Sequence, residues 1–157
     1  MTEPNILFFF PDQWRGDWLK ATAGIPLRTP NLDKLRATGM TFKRAWCPSP
    51  LCAPSRAALA LGLEYDRCGV IDNGQPMPVE PPNIYKNLRN AGYRVAGVGK
   101  FDLDKPGYNW QLDGSGHLDE WGFTDGCDNE GKLDGSITYR KYDGPVGPYL
   151  KALDEAG

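Results

Sequence analysis

The run Asn5-Ile6-Leu7-Phe8-Phe9-Phe10 is almost continuously apolar and stops at Pro11. A short run without alternation suits a strand buried on both faces, as in a parallel sheet. Asp12 and Gln13 follow it, where open α/β sheets place their ligands. Thr29 to Gly39 reads as a helix: Thr29 can cap it, Pro30 suits the first turn, Leu32 and Leu35 give a stripe, and Gly39 stops it. Thr41 to Trp46 alternates weakly and predicts a strand. Pro54 to Leu61 predicts a helix that is small or apolar nearly all round and therefore buried. A further helix is expected over Pro82 to Asn90, ending at Gly92. Arg94 to Val98 predicts a second buried strand, with Gly99-Lys100-Phe101-Asp102 at its carboxyl end. From Asp104 to Gly147 the chain is rich in Gly, Asp, Asn and Trp and reads as long loops with room for a short hairpin. Pro148 to Gly157 looks like the start of a helix. No internal repeat is visible.

Two central strands are fewer than a doubly wound sheet needs. The pattern therefore predicts part of a larger α/β fold, with core elements over about 4–103 and a loop-rich stretch over 104–147. Composition fits a globular chain: 157 residues, 40% hydrophobic and 24% charged. A net charge of −2 argues against general affinity for nucleic acid or anionic membranes, though not against a local cationic pocket. The most apolar stretch is too short to span a bilayer and has no basic flank or cleavage site ahead of it, so a cytoplasmic location is expected. The four cysteines, Cys47, Cys52, Cys68 and Cys127, form no CxxC pair, and His117 is the single histidine. That composition speaks against a structural zinc site and, without an export signal, against disulfides.

Cys52 stands just ahead of the helix that Pro54 opens. Helix starts present unpaired N–H groups and a positive dipole end, so they attract anions. Arg56, one turn on, can fold back toward the same place, and a guanidinium matches tetrahedral oxyanions by bidentate hydrogen bonds. The bland alternative is a buried cysteine at a helix start. Asp12 read alone is equally a turn or cap aspartate, and Lys100 read alone is a solvated lysine. His117, in a glycine-rich loop, reads as solvent-facing rather than catalytic.

Cys52-Ala53-Pro54-Ser55-Arg56, with Ala57-Ala58-Leu59 and Gly62, resembles the signature of the type I sulfatases. The resemblance extends in order through Asn5–Gln13, Thr29–Leu35, Phe42–Ala45, Gly69–Asn73 and Gly92–Lys100, about two thirds of the chain. It implies the N-terminal portion of a single sulfatase catalytic domain, with an alkaline-phosphatase-like, doubly wound, mostly parallel sheet flanked by helices, here incomplete. In that family the cysteine is oxidised to formylglycine by a separate generating enzyme that reads the CxPxR pattern. One oxygen of the hydrated aldehyde binds a divalent metal and attacks sulfur, and the other hydroxyl then expels sulfate. Carried over by residue, the resemblance makes Cys52, Arg56 and Lys100 catalytic and Asp12 and Cys52 metal ligands. Gln13, Asn73 and Asp102 become substrate-binding. Hard oxygen ligands imply Ca²⁺ first, with Mg²⁺ or Mn²⁺ as substitutes.

The implied substrate is a small sulfate ester, with neither nucleic acid nor membrane as partner. Departures from the family keep a rival open. Asp12-Gln13 replaces two adjacent acids, which is closer to choline-sulfatases and phosphonate monoester hydrolases. Asp102 stands where relatives carry histidine; it can accept a proton or orient Lys100, but it cannot imitate an imidazolium. Leu61 replaces a threonine. A phosphonate monoester or phosphodiester hydrolase is therefore the alternative. A truncated, non-catalytic fragment that self-associates through its unfinished sheet is a third reading.

Overall fold

In the computed structural model the chain divides into two compact units, Met1–Ala45 and Trp46–Gly157; residues 3–18 and 27–157 are described.

In the first unit the expected helix is present as α1, Pro30–Thr38, with proline in its first turn and Gly39 at its end. The Thr29 side chain makes no cap, and its hydroxyl is buried without a partner. The strand expected over Asn5–Phe10 is not formed: those residues are extended without ladder pairing, and Leu7 is 91% exposed. A strand is completed only by a ladder of hydrogen bonds to a neighbouring strand, and no such ladder is formed over this run. The weak strand expected over Thr41–Trp46 is likewise absent. Asp12 and Gln13 lie in the turn after the apolar run, both exposed, with Gln13 at φ 52°. A non-glycine residue rarely takes that conformation.

The second unit is built around α2, Cys52–Leu61. Ala53, Ala57, Ala58 and Ala60 are all buried, so neighbouring segments approach its backbone closely. Gly62 ends it in the left-handed conformation (φ 66°), and Leu63 N–H returns to the Ala58 carbonyl, the glycine-based stop that closes many helices. Helix α3, Ile84–Asn90, begins two residues later than expected, capped by the Asn83 side chain on Lys86 N–H.

Strand β1, Ala96–Gly99, pairs in parallel with β2, Asp125–Asp128, in the register Ala96↔Asp125 to Gly99↔Asp128. The expected hairpin within 104–147 is therefore a parallel partner reached by a crossover, which parallel pairing requires. Thr124 locks the register at its start: its N–H donates to the Val95 carbonyl and its hydroxyl accepts from Val95 N–H. Gly97 is obligatory, because a Cβ there would come within 2.4 Å of the Phe101 ring.

The loop reading of 104–147 fails again at α4, Lys132–Tyr142. Its residues carry little helical amphipathicity, and it is held instead by buried Asp134, Gly135 and Thr138. The expected final helix is α5, Pro148–Ala156. Glu130, 2% exposed, accepts from the Tyr149 and Leu150 N–H groups at its start, satisfying donors that no residue of the helix itself can reach. The core joins α2 to Cys68, Val70, Met77, Val95, Leu103, Leu118, Trp121 and Phe123. None of the described helices is long and apolar enough to cross a membrane.

Candidate functional site

The site forms where the start of α2 meets the carboxyl end of β1. Cys52 occupies the first turn of α2, partly buried. The residue ahead of it, Leu51, has no side chain that can cap. Asn73, twenty-one positions beyond Cys52, does that instead: its Oδ1 accepts from Ala53 N–H at 3.1 Å. Asn73 was expected to bind substrate. Its carbonyl oxygen is committed to the helix start, which leaves its amide N–H₂ as the donor a ligand can use.

Arg56 is 9% exposed and its Nη1 donates to the Lys100 carbonyl at 2.5 Å. The guanidinium thus ties α2 to the end of β1 and fixes the backbone from which the Lys100 side chain departs. That side chain turns back to the helix: Lys100 Nζ lies 3.4 Å from Cys52 Sγ and 3.1 Å from Asp102 Oδ2. A Cβ at Gly131 would stand 3.5 Å from Lys100 Cε, so the lysine stem runs alongside the start of α4.

Asp102 was also expected to touch substrate, yet its side chain is only 1% exposed and lies between two lysines. Lys105 Nζ sits 3.4 Å from both of its oxygens and pairs on its other side with Asp134 of α4. Lys105 and Asp134 were not picked out from the sequence. Lys105 lies in a stretch without periodicity, and Asp134, an acid in a helix's first turn, has an ordinary electrostatic reason to be there.

Asp128, at the carboxyl end of β2, was also not singled out. Its Oδ1 accepts from Phe101 N–H at 2.9 Å. Burial pushes its carboxyl up to about 7 from an ordinary 3.8; Phe101 N–H resists that shift, and the nearby Asp102 charge adds to it. The folded state therefore favours the protonated form. Below about pH 4 the acid is neutral whether the chain is folded or not, and this site costs nothing. As pH rises toward 7 the unfolded chain ionises first, so stability falls, and it levels off above 7. Asp128→Asn keeps the acceptor and removes the titration. We expect the variant to match the parent in urea denaturation near pH 4 and to exceed it by up to about 4 kcal/mol near pH 8. Equal stabilities at both pH values would contradict this.

His117 lies apart from these residues in sequence and contact, with Nδ1 2.5 Å from Glu120 and Nε2 2.5 Å from Asn109 Nδ2. Asp12 and Gln13 belong to the other unit.

The assembled group is a nucleophile-sized side chain at a helix start, an ammonium beside it, and an arginine bracing the backbone that carries the ammonium. It resembles an anion-handling centre with a reactive atom at its edge. A family model described as Sulfatase matches residues 4–154. The chain belongs to the sulfatase family. Among its curated relatives, it is 32% identical over 108 residues to an uncharacterized sulfatase, YidJ, of Escherichia coli, covering 69% of this chain and 22% of that protein. It is 36% identical over 104 residues to PehA of Trinickia caryophylli, a multifunctional alkaline phosphatase superfamily protein, covering 63% and 20%. Its identity to a choline-sulfatase of Rhizobium meliloti is 35% over 104 residues, covering 66% and 20%. The chain thus spans about a fifth of the length of these relatives. The alkaline-phosphatase-like α/β class expected from the sequence holds, with a short parallel pair in place of a full sheet.

Sulfatases generally use formylglycine and a divalent metal. The residues around Cys52 in the Trp46–Gly157 unit do not by themselves fit such an ion. An ammonium lies 3.4 Å from Sγ, the nearby Asp102 carboxylate faces two lysines, and the Asn73 oxygen is already engaged. Among the described residues no three His, Cys, Asp or Glu side chains gather as a metal site.

Proposed function

We propose that the protein is a sulfuric ester hydrolase whose nucleophile is formylglycine made from Cys52. The observation that carries this reading is the placement of Lys100 Nζ 3.4 Å from Cys52 Sγ at the start of α2, in a chain of the sulfatase family. A fixed ammonium beside the reacting atom favours a sulfate oxygen there and stabilises the negative charge that builds up as the ester bond breaks. Arg56 holds the backbone of Lys100, so the cation is positioned before substrate arrives. Asn73 holds the first turn of α2, and with it the orientation of residue 52. Formylglycine supplies the geminal diol that a thiol cannot, and a generating enzyme that acts on Cys52 is the implied partner. Ca²⁺ is the metal best suited to oxygen donors of the kind the family resemblance implies, Asp12 and a modified residue 52, with Gln13 left to substrate. The activity is proposed for the whole protein in which these residues stand.

A phosphonate monoester or phosphodiester hydrolase is the second reading. The Asp12-Gln13 pair and the similarity to PehA support it. Competing an aryl sulfate against an aryl phosphonate ester with the full-length protein tests the choice. A higher kcat/KM for the sulfate is expected, and a clear preference for the phosphonate overturns the first reading.

A further inference from the structure

We infer that Asp102, with Lys105 and Asp134 behind it, is a positioning device that holds the Lys100 ammonium against residue 52, and that it does not contact substrate. The inference rests on the reading of Cys52 and Lys100 as the reacting pair. Asp102 follows Lys100 by two positions and takes the left-handed conformation at φ 52°. That conformation is strained for most residues but open to Asp and Asn, and here it turns the carboxylate inward. The side chain is 1% exposed, too enclosed to meet a substrate oxygen directly. An anionic side chain there would also repel a sulfate ester. Its oxygens are occupied by Lys100 at 3.1 Å and Lys105 at 3.4 Å.

The second lysine matters because a buried carboxylate with a single partner is free to follow it. Lys105 is itself gripped by Asp134, which α4 carries in its first turn. The row Cys52, Lys100, Asp102, Lys105, Asp134 therefore runs from the nucleophile to a helix backbone. Its two inner charges, Asp102 and Lys105, each have an oppositely charged partner on both sides, the condition under which buried ions persist. A lysine has four rotatable bonds and a mobile charge. Anchoring its head through a second ion pair to a helix removes that freedom before substrate binds.

The test uses the unmodified thiol, in protein made by a host that lacks the generating enzyme. Cys52 alkylation by anionic iodoacetate and by neutral iodoacetamide is compared by peptide mapping, with exposed Cys47 of the same chain as reference. The ratio of the two rates reads the positive charge beside Cys52. Lys100→Gln should lower it about fivefold, the effect of one unit charge at near-contact distance in a well-hydrated site. Asp102→Asn separates two models, because Asn keeps the left-handed backbone and removes a negative charge. If Asp102 only adds charge, its loss raises the ratio. If it positions Lys100, the ratio falls, by about threefold, toward the Lys100→Gln value. Asp134→Asn carries the same logic one link further out, with a fall of about twofold. A ratio at or above the parent's in Asp102→Asn overturns the inference; should that variant fail to melt cooperatively, the same result in Asp134→Asn does so. A Lys100→Gln ratio equal to the parent's overturns the functional reading itself, and this inference with it.

Discussion

Replacing Cys52 with alanine is expected to lower aryl sulfate turnover by the full-length protein roughly 10⁴- to 10⁶-fold, the scale seen when a covalent nucleophile is removed. The expectation follows from where the residue sits. Cys52 opens α2, and its side chain reaches Lys100 without forming part of the buried core. Alanine is a strong helix former and leaves the Asn73 bond to Ala53 N–H untouched, because that bond involves the neighbouring backbone. Stability should therefore change by less than about 1 kcal/mol while turnover is lost. The pairing of an intact melt with an inactive protein is the signature of a reacting group. Cys68, which is buried and hydrogen-bonded to backbone carbonyls, gives the contrast: Cys68→Ala should loosen the fold without removing the chemistry. Intact mass adds a direct readout, since oxidation of the Cys52 side chain from CH₂SH to CHO removes H₂S and adds one oxygen. Retention of a tenth of the parent rate by Cys52→Ala would sink the assignment.

The largest stability effect is expected at Phe123. This ring is 3% exposed. It packs tilted against Tyr85 at 4.3 Å between centroids and edge-on against Phe101 at 4.9 Å. It sits two residues ahead of β2, at the point where the crossover from β1 returns to the sheet. Phe123→Ala removes the shared member of a three-ring cluster and leaves a cavity that the parallel pair cannot collapse into without losing register. A cost of about 3–5 kcal/mol is expected from large-to-small replacement of a buried aromatic. That is a large share of the 5–15 kcal/mol by which domains are stable. The consequence for the site is specific, because Phe101 follows Lys100 directly and its backbone N–H is held by Asp128. Thermal melts and urea denaturation measure the loss. A change below about 1 kcal/mol would show that the cluster contributes little beyond contact.

Helix α2 and the end of β1 were legible from the sequence because their signals are local. Pro54, the run of alanines and Gly62 specify a buried helix and its stop within eleven residues. Helices α1 and α3 followed for the same reason. The strand expected over Arg94–Val98 forms as Ala96–Gly99, but it is not buried as expected, Val98 being 85% exposed, because burial of a strand face needs a covering layer that local sequence does not name. The family assignment rested on fixed spacings around Cys52, which survive whatever the chain does elsewhere. Helix α4 was not legible, since its helical state depends on the buried placement of Asp134, Gly135 and Thr138 rather than on a periodic stripe. Asn5–Phe10 shows the opposite error: its composition demanded a strand, but a strand exists only with a partner, and composition names none.

By itself, then, the sequence determined the family and the helix that carries the proposed nucleophile, because backbone propensity, capping and motif spacing act over a turn or two. Tertiary structure alone decided what surrounds that residue. The cap on Cys52's helix comes from Asn73 and the brace on Lys100 from Arg56. The carboxylate behind Lys100 is fixed from α4, thirty-two residues after Asp102. Ion pairs and caps join groups by distance in space, and only folding sets that distance.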